Sequence, residues 1–252
     1  MKLLKLAVLL LCFSFSGNDL AAQKGKLTFG PKLGTMVGFP LPTGEIPDSS
    51  KGSPLMGPNV GVFFMYQFSP KWSIWIEGNF NRKAAEFSSK LIDFEYQDEE
   101  TITTPNGTVI TATIETVFNG ETWGKFDNYY FETPIMARYS FNKKWHLMAG
   151  MYYASLAVSN SEAYIRGNVG ASQEITEEER DLAKEMNLHD YGSLLGFQYQ
   201  YKPLLVDFRM SYGFTSIVKE DYTAIESPLH NLFAQLSVNF QILRLHAEEP
   251  KP

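Results

Sequence analysis

The sequence predicts an all-β fold: an eight-stranded antiparallel up-and-down transmembrane β-barrel with long extracellular loops and short periplasmic turns. Polarity alternates from residue to residue over long runs, which is the period of a β-strand. Short turns at residues 69–71, 142–144 and 201–203 join neighbouring runs, whereas the connections between these pairs are longer. This asymmetry between the two ends is typical of a bacterial outer-membrane barrel.

Eight runs fit membrane-crossing strands, because each approaches the length that a tilted strand needs to cross an apolar band of ~25 Å. They cover residues 27–37, 57–68, 72–87, 129–141, 145–158, 191–200, 204–215 and 229–240. In the seventh run, apolar residues from Leu204 to Phe214 alternate with a face that carries Asp207 and Arg209. A soluble β-sandwich is the alternative, but its strands are usually shorter, so the barrel is favoured.

Aromatic residues cluster at both ends of these runs, as expected for side chains that prefer the membrane–water interface. One set flanks the short turns and comprises Phe68, Trp72, Tyr139, Trp145, Tyr199 and Tyr201. The other set lies toward the opposite ends and comprises Tyr129, Phe131, Tyr153, Tyr191, Tyr212 and Phe214. The two sets predict two aromatic belts around the barrel.

The N-terminus has the pattern of a secretory signal peptide, residues 1–22. Lys2 and Lys5 precede an apolar segment at 6–15, and Ala21-Ala22 supplies small residues before the expected cleavage point. The remaining residues, 23–252, suit one outer-membrane barrel domain. A formal charge of −6 for the whole chain indicates that it does not bind nucleic acid.

The three long connections should face outward. Loop one, residues 38–56, is rich in Pro, Gly and Ser and should be irregular. Loop two, residues 88–128, should form a hairpin with its turn at Asn106-Gly107. In loop three, residues 159–190, the capping box 176–179 predicts a short helix. Its apolar residues Leu182 and Met186 should dock onto the barrel rim, with partner binding as the alternative.

Charged residues on the inward faces of the strands form the candidate site. Three cations and three anions would share the narrow interior of an eight-stranded barrel. They are Lys32, Arg138, Arg209, Glu77, Glu132 and Asp207. Because an isolated buried charge is costly, we expect a paired ion network, with Trp75, Tyr152 and Phe233 filling the remaining space. A stabilising plug is the favoured interpretation, and a proton or ion path along these charges is the alternative.

Pro134 lies in the middle of a predicted strand, where it cannot donate a ladder hydrogen bond. The alternation nevertheless keeps its phase, with Glu132 and Arg138 on one face and Ile135 on the other. We therefore predict a local defect in the ladder without a change of register, and Arg138 pointing into the barrel.

No catalytic, metal or cofactor-binding pattern is evident. The histidines lack metal-ligand spacing, and we expect no enzyme activity and no cofactor. One alternative remains open, because His189 and His230 should lie near the outer rim with Asp190 and Ser227 close in sequence. A Ser-His-Asp set there would be the arrangement of a hydrolase.

The predicted fourth strand carries a segment, residues 130–139, with the order Tyr-Phe-Glu-Thr-Pro followed by apolar residues, Arg and Tyr. With the glycine-containing segments 57–62, 150–154, 190–196 and 209–214, it resembles the PorT-like outer-membrane β-barrel proteins of the Bacteroidetes. The resemblance spans the chain after the signal peptide, except for the three loops. It implies a barrel without catalytic residues. One class of these proteins supports protein secretion by the type IX system.

The sequence therefore predicts a non-catalytic integral outer-membrane barrel, with a filled lumen and acidic extracellular loops for binding or structural support. An accessory component of protein secretion is one alternative, and a narrow channel or transport protein is another. The expected partners are outer-membrane lipid and, as candidates, secretion or envelope proteins.

Overall fold

The computed structural model describes residues 26–47, 49–103, 109–169, 175–220, 222, 225 and 227–246. The predicted signal peptide and the Asn106-Gly107 turn lie outside the described residues. The elements in chain order are β1 (Lys26–Pro42), β2 (Lys51–Leu55), β3 (Gly57–Gln67), β4 (Trp72–Thr103), β5 (Val109–Ser140), β6 (Trp145–Ser159), β7 (Glu162–Val169), β8 (Thr176–Asp181), a 3-10 turn (Ala183–Glu185), β9 (His189–Tyr201), β10 (Leu204–Ser216), β11 (Leu229–Phe240) and β12 (Leu243–His246).

Eight long strands close into a ring in which every neighbouring pair is antiparallel. The order around the ring is β1, β3, β4, β5, β6, β9, β10 and β11. Pairing of Lys32 with Asn239, continuing to Pro42 with Leu229, joins the first strand to the last and closes the barrel. Closure satisfies the edges that an open sheet would expose. The predicted eight-stranded up-and-down barrel is confirmed.

The two faces of the wall differ as the alternation predicts. Outward positions are apolar and exposed, as at Ile74, Phe131 and Phe208, and the outer face therefore suits hydrocarbon rather than water. Inward positions are polar and buried, including Glu77 and Asp207. Among the described residues, no helix has the length and apolar character needed to cross a membrane.

The ladder between β4 and β5 is interrupted at Pro134, as predicted. Ile76 pairs with Ile135 and Asn79 pairs with Glu132, but the two positions between them are not paired. The register is the same on both sides of the gap, because the missing proline N–H removes a hydrogen bond without adding a residue. Arg138 is 3% exposed and lies on the inward face. Both parts of the prediction for this strand are confirmed.

A five-stranded sheet extends the wall beyond one end of the barrel. It has the order β2, β4, β5, β7 and β8, and β4 and β5 pair as far as Thr103 with Val109, with one register shift between Leu91 and Phe94. The hairpin predicted for loop two is thereby confirmed. The irregular backbone predicted for loop one is wrong where β1 continues to Pro42 and where β2 pairs with β4. The end of β1 pairs with β11 and β2 pairs with β4, and these backbone partners outweigh the turn propensity of this segment.

The helix predicted from the capping box in loop three is wrong. Thr176–Asp181 forms strand β8 and pairs with β7, so backbone pairing across the sheet prevails over the local capping signal. A short 3-10 turn follows at Ala183–Glu185. Leu182 and Met186, next to its two ends, are buried against Ile217 and neighbouring residues. The prediction that these two side chains dock onto the barrel rim is confirmed.

Candidate functional site in the barrel lumen

Four cations and four carboxylates lie on the inward faces of the described strands. Each is at most 4% exposed, and they are Lys32, Lys83, Arg138, Arg209, Glu77, Glu132, Asp190 and Asp207. Six of these were predicted as lumen residues, whereas Lys83 and Asp190 were not. The inward position of Lys83 could have been predicted from the sequence, because the alternation of β4 puts it on the same face as Glu77. The eight residues separate into two ion clusters and one lone arginine.

The central cluster is built around the carboxylate of Glu77. Lys32 Nζ donates to Oε2 at 2.5 Å, and Arg209 spans both oxygens, with Nη2 donating to Oε1 at 2.6 Å and Nη1 donating to Oε2 at 2.9 Å. Trp75 Nε1 donates to Oε1 at 2.5 Å and Asn79 Nδ2 donates to Oε2 at 2.9 Å. A buried carboxylate is stable only when it is paired and hydrogen-bonded in this way.

Asp207 completes the central cluster. Its Oδ2 lies 2.8 Å from Arg209 Nε and accepts a hydrogen bond from Ser237 Oγ at 2.8 Å, while Asn239 donates to Oδ1. Gly196 leaves the space that the arginine needs, because a Cβ there would lie 2.6 Å from Arg209 Cγ. The cluster therefore has two cations and two carboxylates, and its formal charge is zero.

Aromatic side chains fill the lumen beside the central cluster. The rings of Phe63 and Trp75 stack at 4.4 Å with an interplanar angle of 5°. Tyr152 and Phe233 are also buried, at 3% and 1% exposure. Trp75, Tyr152 and Phe233 thus occupy the interior positions that the sequence predicted for them.

An outer cluster lies closer to the extracellular sheet and is built around Lys83. Its Nζ is 3.0 Å from Glu132 Oε2 and 3.1 Å from Asp190 Oδ2. The same nitrogen lies over the rings of Tyr152 and Tyr130, at 4.5 Å and 5.2 Å from their centroids. One cation between two carboxylates gives this cluster a formal charge of −1.

Asp190 is the most heavily bonded group of the outer cluster. Besides Lys83, it accepts hydrogen bonds from Asn231 Nδ2 at 2.8 Å and Tyr152 Oη at 3.0 Å on Oδ2, and from Thr215 Oγ1 at 3.1 Å on Oδ1. These donors come from β4, β6, β10 and β11. The carboxylate therefore ties strands on different sides of the barrel together.

Arg138 lies near the opposite, periplasmic end and differs from the other cations. Its guanidinium donates to Gln198 Oε1 at 2.7 Å, to Gln200 Oε1 at 3.4 Å and to Ser140 Oγ at 3.5 Å. No described carboxylate forms an ion pair with it, so its predicted membership of the paired network is wrong. Arg138 has no carboxylate partner because of its position along the barrel axis, where its cross-strand neighbours are Ser73 and Met148 rather than acidic residues.

An apolar cap closes the outer end of the lumen. Leu229 lies on the inward face of β11, one inward position closer to the outer end of the barrel than Asn231. It packs with Leu182, Met186 and Ile217. Phe126, Ala163 and Val218 complete the same buried cluster. The cap, the two ion clusters and the stacked aromatic rings occupy described inward positions from the outer end to the middle of the barrel.

The two rim histidines contact groups other than a serine–aspartate pair. His189 Nδ1 lies 2.8 Å from Tyr153 Oη, and His230 Nδ1 lies 3.2 Å from the carbonyl oxygen of Gly213. Ser227 Oγ donates to the carbonyl oxygen of Glu45. Among the described residues these groups form no Ser-His-Asp chain of hydrogen bonds, since the Asp190 carboxylate is directed into the lumen.

Comparisons with known proteins agree with this architecture. The sequence matches a family model for an outer membrane protein beta-barrel domain over residues 21–219. None of the curated proteins compared with the chain matches it.

Solved structures that resemble the chain do so at low sequence identity. The attachment invasion locus protein Ail of Yersinia pestis, in complex with the heparin analogue sucrose octasulfate, is 12% identical, with 87% of this chain and 100% of Ail covered and a TM-score of 0.40. Neisserial surface protein A is 9% identical, with 85% and 97% covered and a TM-score of 0.40. OprG from Pseudomonas aeruginosa is 10% identical, with 90% and 97% covered and a TM-score of 0.36.

The match to the family model spans most of the chain, from the residues before β1 to those after β10. The closed ring of eight strands, the apolar outer face and the polar inner face have the organisation that such a domain requires. The chain therefore belongs to the family of proteins with an outer membrane protein beta-barrel domain, and its location is the outer membrane.

Proposed function

We propose that this protein is a non-catalytic, non-conducting barrel that holds a rigid β-sheet above the outer membrane for recognition of a partner. The observation that supports the proposal is the continuity of β4 and β5, which run from the barrel wall into the five-stranded sheet. A sheet whose backbone hydrogen bonds continue those of a closed barrel keeps a fixed orientation. Binding sites gain affinity when they are held on such a pre-organised support.

The filled lumen supports a function outside the barrel. Eight strands enclose little more than side chains, and two ion clusters, stacked rings and an apolar cap occupy the interior. An ion crossing this lumen would have to separate buried pairs such as Lys32 and Glu77, whose side chains have no exposed surface. The cost of unpairing such charges disfavours conduction.

The outward face of the extracellular sheet carries an exposed aromatic pair. Trp123 of β5 and Tyr164 of β7 stack at 5.9 Å with an interplanar angle of 15°, and Trp123 is 40% exposed. The ion pair between Lys125 and Glu162, at 3.0 Å, lies next to these two rings, on the side nearer the barrel. Charges in that position support the inference that the aromatic pair lies beyond the lipid-facing band.

Ion pairs border the aromatic pair on both sides, because Arg166 and Glu177 form another contact at 3.1 Å. Exposed tryptophan, tyrosine and arginine are the residue types that contribute most to binding at protein surfaces. We call the patch formed by Ser88, Trp123, Tyr164 and Arg166 the sheet platform. It is the surface that we infer to contact the partner.

Site-specific photo-cross-linking in intact cells tests this function. A photoreactive amino acid at Ser88, which pairs with Trp123, should give a discrete adduct that Trp123→Ala weakens. The same amino acid at Phe208, on the lipid-facing wall, should give none and serves as the control. Absence of an adduct at Ser88, or one that Trp123→Ala leaves unchanged, would contradict recognition by the sheet platform.

An accessory role in protein secretion is the second candidate, favoured by the resemblance of residues 130–139 to the PorT-like proteins. Such a role would use the periplasmic turns. A photoreactive amino acid at Lys143, in the turn before β6, tests it. Adducts with envelope proteins at Lys143 and none at Ser88 would favour secretion over surface recognition.

A further inference from the structure

The periplasmic end of the lumen contains a group of polar side chains that the two ion clusters do not use. We call Ser73, Arg138, Ser140 and Gln198 the periplasmic pocket. Ser73, Arg138 and Gln198 are at most 3% exposed, and Ser140 is 9% exposed. Ser73 pairs with Arg138 across the β4–β5 ladder. The pocket therefore lies inside the barrel wall and is not part of the outer surface.

Hydrogen-bond donors outnumber acceptors in the periplasmic pocket, even when the adjacent buried His146 is counted, whose Nδ1 lies 2.9 Å from Ser140 Oγ. A guanidinium has five N–H donors, and Arg138 uses three of them on Gln198, Gln200 and Ser140. Gln198 Oε1 accepts one of these bonds, while its Nε2 amide nitrogen is buried without a partner among the described residues. Ser73 Oγ is also buried, and no described residue forms a hydrogen bond with it. Two guanidinium N–H groups, an amide and a hydroxyl are thus available to one ligand.

The charges in the lumen indicate that this ligand is an anion. The central cluster is neutral, and the outer cluster already places two carboxylates around Lys83. Arg138 thus carries a positive charge that no described carboxylate neutralises by contact. A buried charge without a counter-charge is costly, whereas an anion on the guanidinium would form charge-assisted hydrogen bonds.

The mouth of the pocket limits the size of the ligand. Gln200 is half-buried next to Arg138, and its backbone N–H donates to the carbonyl oxygen of Lys144 in the adjacent turn at 2.8 Å. Met136 lies one inward position deeper than Arg138 on β5, and it belongs with Met148 and Leu205 to one cluster of buried apolar side chains. Because half-buried and buried side chains surround Arg138, we expect a small ligand that enters from the periplasm.

We propose that the periplasmic pocket binds one small monovalent anion, of the size of chloride, between Arg138, Gln198 and Ser73. This binding is independent of the sheet platform at the other end of the molecule. The anion supplies the counter-charge that Arg138 lacks and accepts the donors that are otherwise unpartnered. Chloride and formate are the probes that match this chemistry, and gluconate is too large to enter.

Bromide replacement tests the location directly. Crystals of the full mature chain grown in sodium bromide should show an anomalous peak next to the Arg138 guanidinium. Crystals of Gln198→Glu should lack this peak, because the new carboxylate supplies the counter-charge from within the protein. A wild-type structure with water alone at this position would overturn the proposal.

Stability measurements provide an independent test in lipid vesicles. At equal ionic strength, the gel-shift temperature of the wild-type barrel should be roughly 2–4 °C higher in chloride than in gluconate. Gln198→Glu and Arg138→Gln should both remove the difference, whereas Lys143→Gln, which removes an exposed charge at the same end, should retain it. Equal temperatures in the two salts for the wild type, or a chloride effect that survives in Gln198→Glu, would contradict an anion on Arg138.

Discussion

Replacement of Glu77 by glutamine should strongly destabilise the barrel. Three donors approach Oε2 of this carboxylate and two approach Oε1. Glutamine keeps one oxygen and presents an NH₂ group in place of the other. At least two buried donors therefore lose their acceptor in either orientation of the amide, and the central cluster is left with a formal charge of +1.

The expected loss is about 3–5 kcal/mol in the free energy of unfolding, which is the typical cost of removing one member of a buried ion pair. Urea unfolding of the wild type and Glu77→Gln in lipid vesicles measures it. Glu178→Gln is the matched control, because Glu178 forms an exposed pair with Arg180 at 2.9 Å and exposed pairs contribute about 0–1 kcal/mol.

A second substitution tests whether charge balance causes the loss. Lys32→Met removes one of the two cations, so that the double variant Glu77→Gln/Lys32→Met has a neutral central cluster again. Its unfolding free energy should be higher than that of Glu77→Gln alone. If Glu77→Gln and Glu178→Gln had equal effects, or if the double variant lost the sum of both single losses, the paired-network interpretation would be refuted.

Two further perturbations follow from the geometry. Protease added to intact cells should cleave near Glu178 and leave the barrel folded, whereas cleavage only after permeabilisation of the outer membrane would invert the assigned topology. Gly213→Ala should lower the unfolding free energy by about 1–3 kcal/mol, because its Cβ would lie 2.7 Å from Asp190 Oδ1 and 3.1 Å from Tyr152 Oη. The control Gly78→Ala has no atom within 4 Å of the added Cβ, and equal stability of the two variants would contradict the packing around Asp190.

The barrel itself could be predicted because each strand has one apolar and one polar face. The alternation of polar and apolar residues continues across Pro134, and it correctly predicted that Glu77, Arg138 and Asp207 lie in the lumen. The extracellular sheet was only partly predictable. The hairpin of β4 and β5 had a turn signal, but β8 is a run of charged residues whose strand conformation depends on pairing with β7.

Ion partners in the lumen could not be predicted from alternation alone. The alternation predicts which residues point inward. Contact between two inward residues also depends on their positions along the barrel axis, and these positions follow from the register of several ladders. Lys83 and Glu132 meet at one level, whereas Arg138 lies at the level of Ser73, away from the carboxylates. The same limit explains why Asp190, at the start of β9, was recognised only as a rim residue.

Electrical recording across planar lipid bilayers tests most directly whether the lumen is a filled core rather than a pathway. The purified full-length protein should insert without producing steady conductance, because the apolar cap and the two ion clusters occupy the interior. Gln200→Ala, at the periplasmic mouth, should be equally silent. Stable, reproducible open channels in the wild type would contradict a side-chain-filled lumen and would shift the function from recognition to transport.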